Sequence, residues 1–306
     1  MKVVIPLAGK GTRLRPHTYV TPKPLLRVGG KPVMSYILDD LIALGVEEII
    51  FIVGYLKEEI EAYVRRTYPQ LRVRFEEQKV QNGTAGAVGL ARPYVQEDLL
   101  IVYVDTLFDA DLSIIRQQPP DIAGLIWVKE VEDYQRFGVV VTDRDGNMTR
   151  IVEKPRDPIS KLANIGLYYI RDWELFFEGV EETMQGSPGP GGEYYITDAF
   201  QYMIDRGAKI RAPEVAGWYD CGKPETLLET NRHLLETGRA KPPQGGLNLR
   251  IHDPVRIADG VELEDAEIGP NVTIETGTRI RASVLRDCII GENVTIEECN
   301  LHDSLV

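Results

Sequence analysis

Apolar residues change their spacing along this chain, and each change predicts a different kind of structure. Up to residue 105, short apolar runs alternate with segments of helical period. KVVIPLA, EIIFIVG, RVRFEEQ and DLLIVYVD have the length and β-branched content of strands. VMSYILDDLIALG, LKEEIEAYVRRTYP and TAGAVGLARPYV place apolar residues three and four apart, as helices do. This alternation predicts a Rossmann-like α/β fold, with a mixed, mostly parallel sheet covered by helices on both faces. Ligands of such sheets sit at the carboxyl ends of the strands. Lys10, Arg13, Gln78 and Asp105 all follow strand ends and can converge.

From about 122 to 170 the pattern turns to shorter strands, with Asp145-Gly146-Asn147 as a hairpin turn. YYITDAFQYMIDRG then returns to helix, and GSPGPGGE at 186–193 reads as loop. GRAKPPQGG at 238–246 has linker composition. Beyond it the period changes again. Ile257, Leu263, Ile268, Ile274, Ile280, Leu285, Ile290, Ile296 and Leu301 recur at gaps of five or six. Spacing near six fits a parallel β-helix in which each short strand turns one aliphatic residue inward. IGPNVT and IGENVT resemble the hexapeptide repeat of left-handed β-helices. The domains expected are therefore 1–236, a linker at 237–248, and a β-helix of nearly three turns at 249–306. Its open last coil needs a cap or a second chain, so a homo-oligomer is expected.

Charge narrows the function. The formal net charge of -12 argues against a general nucleic-acid or acidic-membrane binder. Any anion must meet a local patch, and one exists: Lys2, Lys10, Arg13, Arg15, Lys23, Arg27 and Lys31 precede the first acidic residue, Asp39. No run reaches the length of a membrane span. Three cysteines without a signal peptide point to reduced thiols in a cytoplasm. The opening IPLAGKGTRLRP fits neither of two familiar phosphate loops. A P-loop needs a hydroxyl residue where Gly11 follows Lys10, and a dinucleotide fingerprint needs a third glycine where Leu14 stands. Gly9 and Gly11 nonetheless allow backbone amides to approach phosphate, with Arg13 and Lys23 supplying charge.

IPLAGKGTRLRP followed by TPKPLLRVGGKP resembles the signature of the sugar-1-phosphate nucleotidyltransferases, or nucleoside-diphosphate-sugar pyrophosphorylases. The resemblance runs through residues 1–236, by way of EQKVQNGTAGAV, VYVDTLFD, FGVV, IVEKP, NIGLYYI, GEYYITDA and GWYDCGKPE. It implies that a sugar-1-phosphate oxygen attacks the α-phosphorus of a nucleoside triphosphate and pyrophosphate leaves in line. It assigns Leu7, Ala8, Gly9, Lys10, Gly11, Thr12, Gln78, Gly83 and Thr84 to the nucleotide. Arg13 falls to the triphosphate, Lys23 to the α-phosphate and Lys154 to the sugar phosphate. Gly138, Glu153, Asn164, Gly166 and Glu193 match sugar-contacting positions, and Asp105 and Asp220 match the carboxylates that hold Mg²⁺. Gln78, five residues before Gly83, favours a pyrimidine: one amide can donate to a carbonyl and accept from a ring N–H. Glucose-1-phosphate is the expected sugar, and dTTP and UTP are not ranked. Cys221 is read as packing and His17 as structural.

Val104 departs from the family pattern, standing where a glycine normally precedes the metal aspartate. It keeps open a regulatory paralogue that binds nucleotide sugar without catalysis. A mannose-1-phosphate guanylyltransferase is a further alternative. A β-helical acyltransferase is disfavoured, because the tail is short and His302 is its one plausible histidine.

Overall fold

The computed structural model describes residues 1–237 and 249–306. The expected linker at 237–248 therefore lies almost wholly outside the described residues. The chain divides into two compact units. One gathers Met1–Lys10, Leu38–Val104 and Phe108–Trp218; the other gathers Gly11–Ile37, Asp105–Leu107 and Tyr219–Val306.

The first unit is built on a nine-stranded sheet. Lys2–Pro6 lies between Glu48–Val53 and Leu99–Val102, parallel to both, and Arg72–Glu77 continues the parallel side. Leu162–Ile170 then joins antiparallel to Leu99–Val102 and carries the other half, with Ile122–Glu130, Gly138–Thr142 and Met148–Glu153. Every residue of Leu99–Val102 is buried, as the interior strand of a two-faced sheet requires. The expected hairpin forms, with Gly146 at φ 79° and Met148 paired to Thr142. Two strands in the 122–170 region are not short: Ile122–Glu130 and Leu162–Ile170 each run nine residues. Glycines interrupt both in sequence, which hides their length. Val4, Ile50, Ile101, Ile126, Tyr168, Phe176 and Phe200 belong to one core that the Trp173–Gln185 and Ile196–Asp205 helices complete.

The second unit contains the β-helix. Val255 pairs with Val272, Leu263 with Ile280 and Ile268 with Leu285, a 17-residue repeat; Ile274 pairs with Ile290 and Ile280 with Ile296, a 16-residue repeat. All these pairings are parallel. The described coils number three plus the start of a fourth, formed by Asn300–Leu305 against Val284–Ile290, slightly more than expected. Each coil turns three corners through left-handed backbone: Gly260, Gly277 and Asn293 at one, Asp265, Ala282 and Glu298 at the next, Asn271, Asp287 and Asp303 at the third. Glycine, asparagine and aspartate tolerate that conformation best, so the Asn of each IGxNVT motif is a corner. Ile268, Ile274, Ile280, Leu285 and Ile290 fill the bore.

The Pro224–Glu236 helix is fastened to the β-helix by the fully buried Asn231. Its Nδ2 donates to Asn271 O at 3.1 Å, and its Oδ1 accepts from Thr273 Oγ1 at 2.7 Å and from Gly29 N at 3.0 Å. A buried amide with three partners ties helix, coil and the 29–30 turn together. None of the described helices is long and apolar enough to cross a membrane.

Candidate active site

The phosphate-directed residues of the second unit collect around a two-stranded ribbon formed by Thr106–Phe108 and Trp218–Asp220. Cys221 N donates to Asp105 O at 3.0 Å, which brings the two aspartate-bearing segments side by side. Lys23 Nζ lies 2.8 Å from Asp105 Oδ2. Burial pushes the Asp105 carboxyl upward, but the charge and hydrogen bond of Lys23, with Arg13 farther off, outweigh it. The group ends below the ordinary aspartate range. Asp220 Oδ1 accepts from Gly222 N at 2.7 Å, closing a tight turn. A methyl on Gly222 would fall 2.6 Å from Asp220 Oδ1 and 3.2 Å from the Arg13 guanidinium, so Arg13 and Asp220 share this corner.

Gly11 sits at φ 62°, a left-handed conformation that explains the glycine between Lys10 and Thr12. Its carbonyl accepts from Leu14 N at 3.0 Å and Thr18 Oγ1 at 2.8 Å, which shapes the turn presenting Thr12 and Arg13 to solvent. Cys221 is buried and its thiol is pushed up to about 12, chiefly by desolvation. It is inert packing, not a nucleophile.

The first unit carries the base and sugar candidates. Leu7 and Ala8 are buried, whereas Gly9 and Lys10 are exposed. Leu7 N donates to Ile52 O at 2.7 Å, and Ala8 O accepts from Gln81 Nε2 at 2.7 Å. Gln78 is 8% exposed, and its Nε2 donates to Asn82 Oδ1 at 3.1 Å and Gly83 O at 3.0 Å. Those bonds engage the amide nitrogen and leave Oε1 as the spare group, so Gln78 stands here as an acceptor. Gly83 takes φ 108°, and a methyl there would fall 2.3 Å from Tyr194 O. Tyr194 N donates to Asn82 O at 2.8 Å and Ile196 N to Thr84 Oγ1 at 2.9 Å. The 78–84 segment is thereby joined to GEYYITDA.

Gly138 and Glu153 are paired across neighbouring strands. A methyl on Gly138 would fall 2.2 Å from Asn164 Nδ2 and 2.9 Å from Glu153 Oε2, so both polar side chains gather over the glycine. Burial raises the Glu153 carboxyl above its usual range, although Lys154 and Thr197 pull it down. Lys154 adopts φ 45°, unusual for a non-glycine and more so before Pro155. Its Nζ donates to Tyr195 OH at 2.9 Å, and Tyr195 OH donates in turn to Pro190 O at 2.6 Å. Desolvation lowers the Lys154 ammonium, but Tyr195, Glu153 and Glu193 raise it further, so it stays charged. Beside Glu153, Ile151, Pro190, Tyr195, Asp198 and Gln201 line a cavity of about 540 Å³. Gly166, at φ 81°, has Tyr103 Cβ 2.9 Å from where its methyl would be.

Sequence reasoning missed several members of these clusters. Tyr195 and Thr197 lie inside GEYYITDA, and Gly222 inside GWYDCGKPE, so their signal was position in a motif. Gln81 and Asn82 lie inside EQKVQNGTAGAV and Tyr168 inside NIGLYYI, so they too were marked only by position in a motif.

The family model described as nucleotidyl transferase matches residues 2–237. The bifunctional protein GlmU of Methanococcus aeolicus is 35% identical, covering 98% of this chain and 79% of its own length. The UTP–glucose-1-phosphate uridylyltransferase AglF of Haloferax volcanii is 34% identical over 77% of this chain and 97% of its own. A glucose-1-phosphate thymidylyltransferase of Streptomyces antibioticus is 32% identical, covering 95% of this chain and 87% of its own. Among solved structures, a UDP-glucose pyrophosphorylase complexed with UDP-glucose matches with a TM-score of 0.69 and 25% identity, covering 77% of this chain and 98% of that one. With a family match across most of its length, and the signature loop, the two aspartates and the EKP lysine all built into defined local structure, this chain belongs to the nucleotidyl transferase family.

Proposed function

We propose that the chain transfers a nucleotidyl group from a pyrimidine nucleoside triphosphate, dTTP or UTP, to a sugar-1-phosphate, with glucose-1-phosphate the favoured acceptor. The observation that carries this reading is the grouping of Lys23 on Asp105 and Arg13 beside Asp220. Both substrates are anions, and the leaving pyrophosphate gains charge as the α-phosphorus is attacked. The reaction needs fixed cations and no protein nucleophile. Arg13 serves the leaving group, Lys23 the α-phosphate and Lys154 the sugar phosphate. Gly9, Lys10, Gly11 and Thr12 take the triphosphate with main-chain and side-chain donors.

Mg²⁺ fits the two aspartates. Asp105 keeps a 45% exposed side chain despite its lysine partner, and Asp220 uses one oxygen in its own turn. No group of three or more His, Cys, Asp or Glu placed to hold a metal ion is found among the described residues. Two carboxylates completed by substrate phosphates suit magnesium better than a closed protein cage would. When bound, the ion neutralises phosphate charge as the leaving group departs.

Gln78 supports a pyrimidine through its spare Oε1, which can accept the ring N–H; the matching donor to a ring carbonyl falls to a main-chain N–H such as that of Gly83. Glucose is supported by the names of AglF, the Streptomyces thymidylyltransferase and the UDP-glucose pyrophosphorylase. Glu153, Asn164, Gly138, Gly166 and Glu193 are assigned to its hydroxyls. The test is pyrophosphate release from glucose-1-phosphate with each of dTTP, UTP, GTP, CTP and ATP, with magnesium and with chelator. Metal-dependent release favouring dTTP or UTP is expected. Release with GTP alone overturns the role of Gln78, and no release from folded protein with any sugar phosphate overturns the catalytic reading.

A further inference from the structure

Asn164 and Tyr168 lie four residues apart on the Leu162–Ile170 strand. In a regular strand that separation is about 13 Å along the axis. Here the register against Ile122–Glu130 shifts between Asn164 and Tyr168, with Gly166 in left-handed backbone between them. The bulge bends the strand, and Tyr168 OH donates to Asn164 Oδ1. At the other end of the amide, Asn164 Nδ2 donates to Gly138 O at 2.9 Å. An amide offers two N–H groups and two acceptor lone pairs. These bonds use one of each and dictate which end is nitrogen.

Tyr168 is itself held in place. It is 3% exposed, its ring stacks on Phe200 at 5.2 Å and it meets Tyr103 edge-on at 6.2 Å. The companion carboxylate has a similar support, since the buried Thr197 donates through Oγ1 to Glu153 Oε2 at 3.3 Å. Gly138 O can only accept, so it fixes which end of the Asn164 amide is nitrogen; Tyr168 OH anchors the oxygen end, and without it that end is free to swing.

We propose that Tyr168 is a positioning residue for sugar recognition. Its hydroxyl anchors the oxygen end of the Asn164 amide, whose nitrogen end Gly138 O already fixes, and so holds still the one N–H and one lone pair left for the hydroxyls of the sugar phosphate. The inference rests on the sugar-1-phosphate reading above. The glycine-centred bulge in NIGLY exists, on this view, to bring the tyrosine back onto the asparagine.

Tyr168→Phe keeps the ring stack and deletes the hydroxyl. The expected result is a rise of about five- to tenfold in KM for glucose-1-phosphate, with kcat and the KM for UTP or dTTP within about twofold. Calorimetric affinity for UDP-glucose falls by a similar factor. In an Asn164→Ala background the same substitution adds nothing, because its effect passes through the amide. The proposal is overturned by an unchanged KM for the sugar phosphate, by equal losses for both substrates, or by full additivity with Asn164→Ala. A lowered Tm with parental KM overturns it as well. The two readings fail separately. If the unaltered protein binds UDP-glucose without turnover, the catalytic reading falls, and the calorimetric comparison of parent with Tyr168→Phe decides the role of the tyrosine. If it binds neither UDP-glucose nor any of glucose-, galactose-, mannose- and N-acetylglucosamine-1-phosphate, both fall.

Discussion

Two ion pairs in the second unit use the same chemistry to opposite ends. Glu275 is 1% exposed, and its carboxylate lies 2.9 Å from Arg27 Nε and 3.7 Å from Arg256 Nη1 as an ion pair. Arg27 Nη2 donates to Gly30 O at 2.8 Å, and Gly30 takes φ 92°, a backbone that favours glycine, with the Arg256 guanidinium close over it. Asp105, by contrast, has one lysine partner and a 45% exposed side chain. The buried cluster neutralises its carboxylate by charge, with cations from both the 27–32 strand pair and the β-helix, although Glu275 Oε1 accepts no hydrogen bond, and so it draws one toward the other. The Lys23–Asp105 pair is open on one side only, since Lys23 is 14% exposed. Its open face suits the role proposed above, a charge presented to phosphate and metal.

The largest effect that would break this contrast comes from the half-open site, from Asp105 and the neighbouring Arg13. Asp105→Asn and Arg13→Ala should each lower kcat at least about 100-fold and leave Tm nearly unchanged; pyrophosphate release and thermal melting read the two. Retained turnover, or a collapse in Tm, would place these residues with the scaffold instead. For the buried cluster the expectation reverses. Glu275→Ala strands two arginines and should lower unfolding free energy by about 3–5 kcal/mol in a urea titration; a loss under about 1 kcal/mol would show that the cluster fastens little.

Val104 sharpens the comparison from the neighbouring position. It is 2% exposed, so Val104→Gly opens a cavity and should destabilise the fold by about 2 kcal/mol. Turnover should stay within about tenfold of the parent, since Asp105, Asp220, Arg13 and Lys23 are untouched. A hundredfold gain would mean that the valine crowds the nucleotide.

The smallest effect is a pH dependence in the first unit. Burial raises the Glu153 carboxyl, so the folded state holds that proton more tightly than the unfolded chain does. The stability this proton supplies is present below the ordinary glutamate pKa of about 4.3 and is lost as pH rises through the folded value. Glu153→Gln should therefore melt higher than the parent at pH 7, by no more than ~2 °C, with the gap closing toward pH 4. A gap that widens in acid would reverse the sign of the burial effect.

The parallel half of the sheet and the β-helix were legible because each repeats a period: two or 3.6 residues in one, five to six in the other. Signature motifs marked Arg13, Lys23, Asp105, Asp220, Glu153 and Lys154 as candidates. Other features left no trace in any window. The left-handed backbone of Lys154 opposes the preference of a residue before proline. The bulge at Gly166 reads in sequence as an interrupted strand. Asn231 joins segments some 40 and 200 residues away, and such partners become neighbours only after folding. Gln78 shows the same limit, because its two local hydrogen bonds decide which half of its amide is spare.

The stacking of like rungs, coil upon coil, gives the tail a modular character. A one-residue difference between corners is absorbed at the turn: Asp265 to Asn271 spans six residues and Ala282 to Asp287 five, yet Ile268 stacks on Leu285 and Ile274 on Ile290. A segment of 16 or 17 residues carrying its own three corners, spliced in beyond the rungs that hold Asn231 and Arg27, would leave all earlier pairings unchanged. Length is thus quantised in the tail of this chain: evolution or an engineer can lengthen it by whole coils without redesigning what the first coils hold.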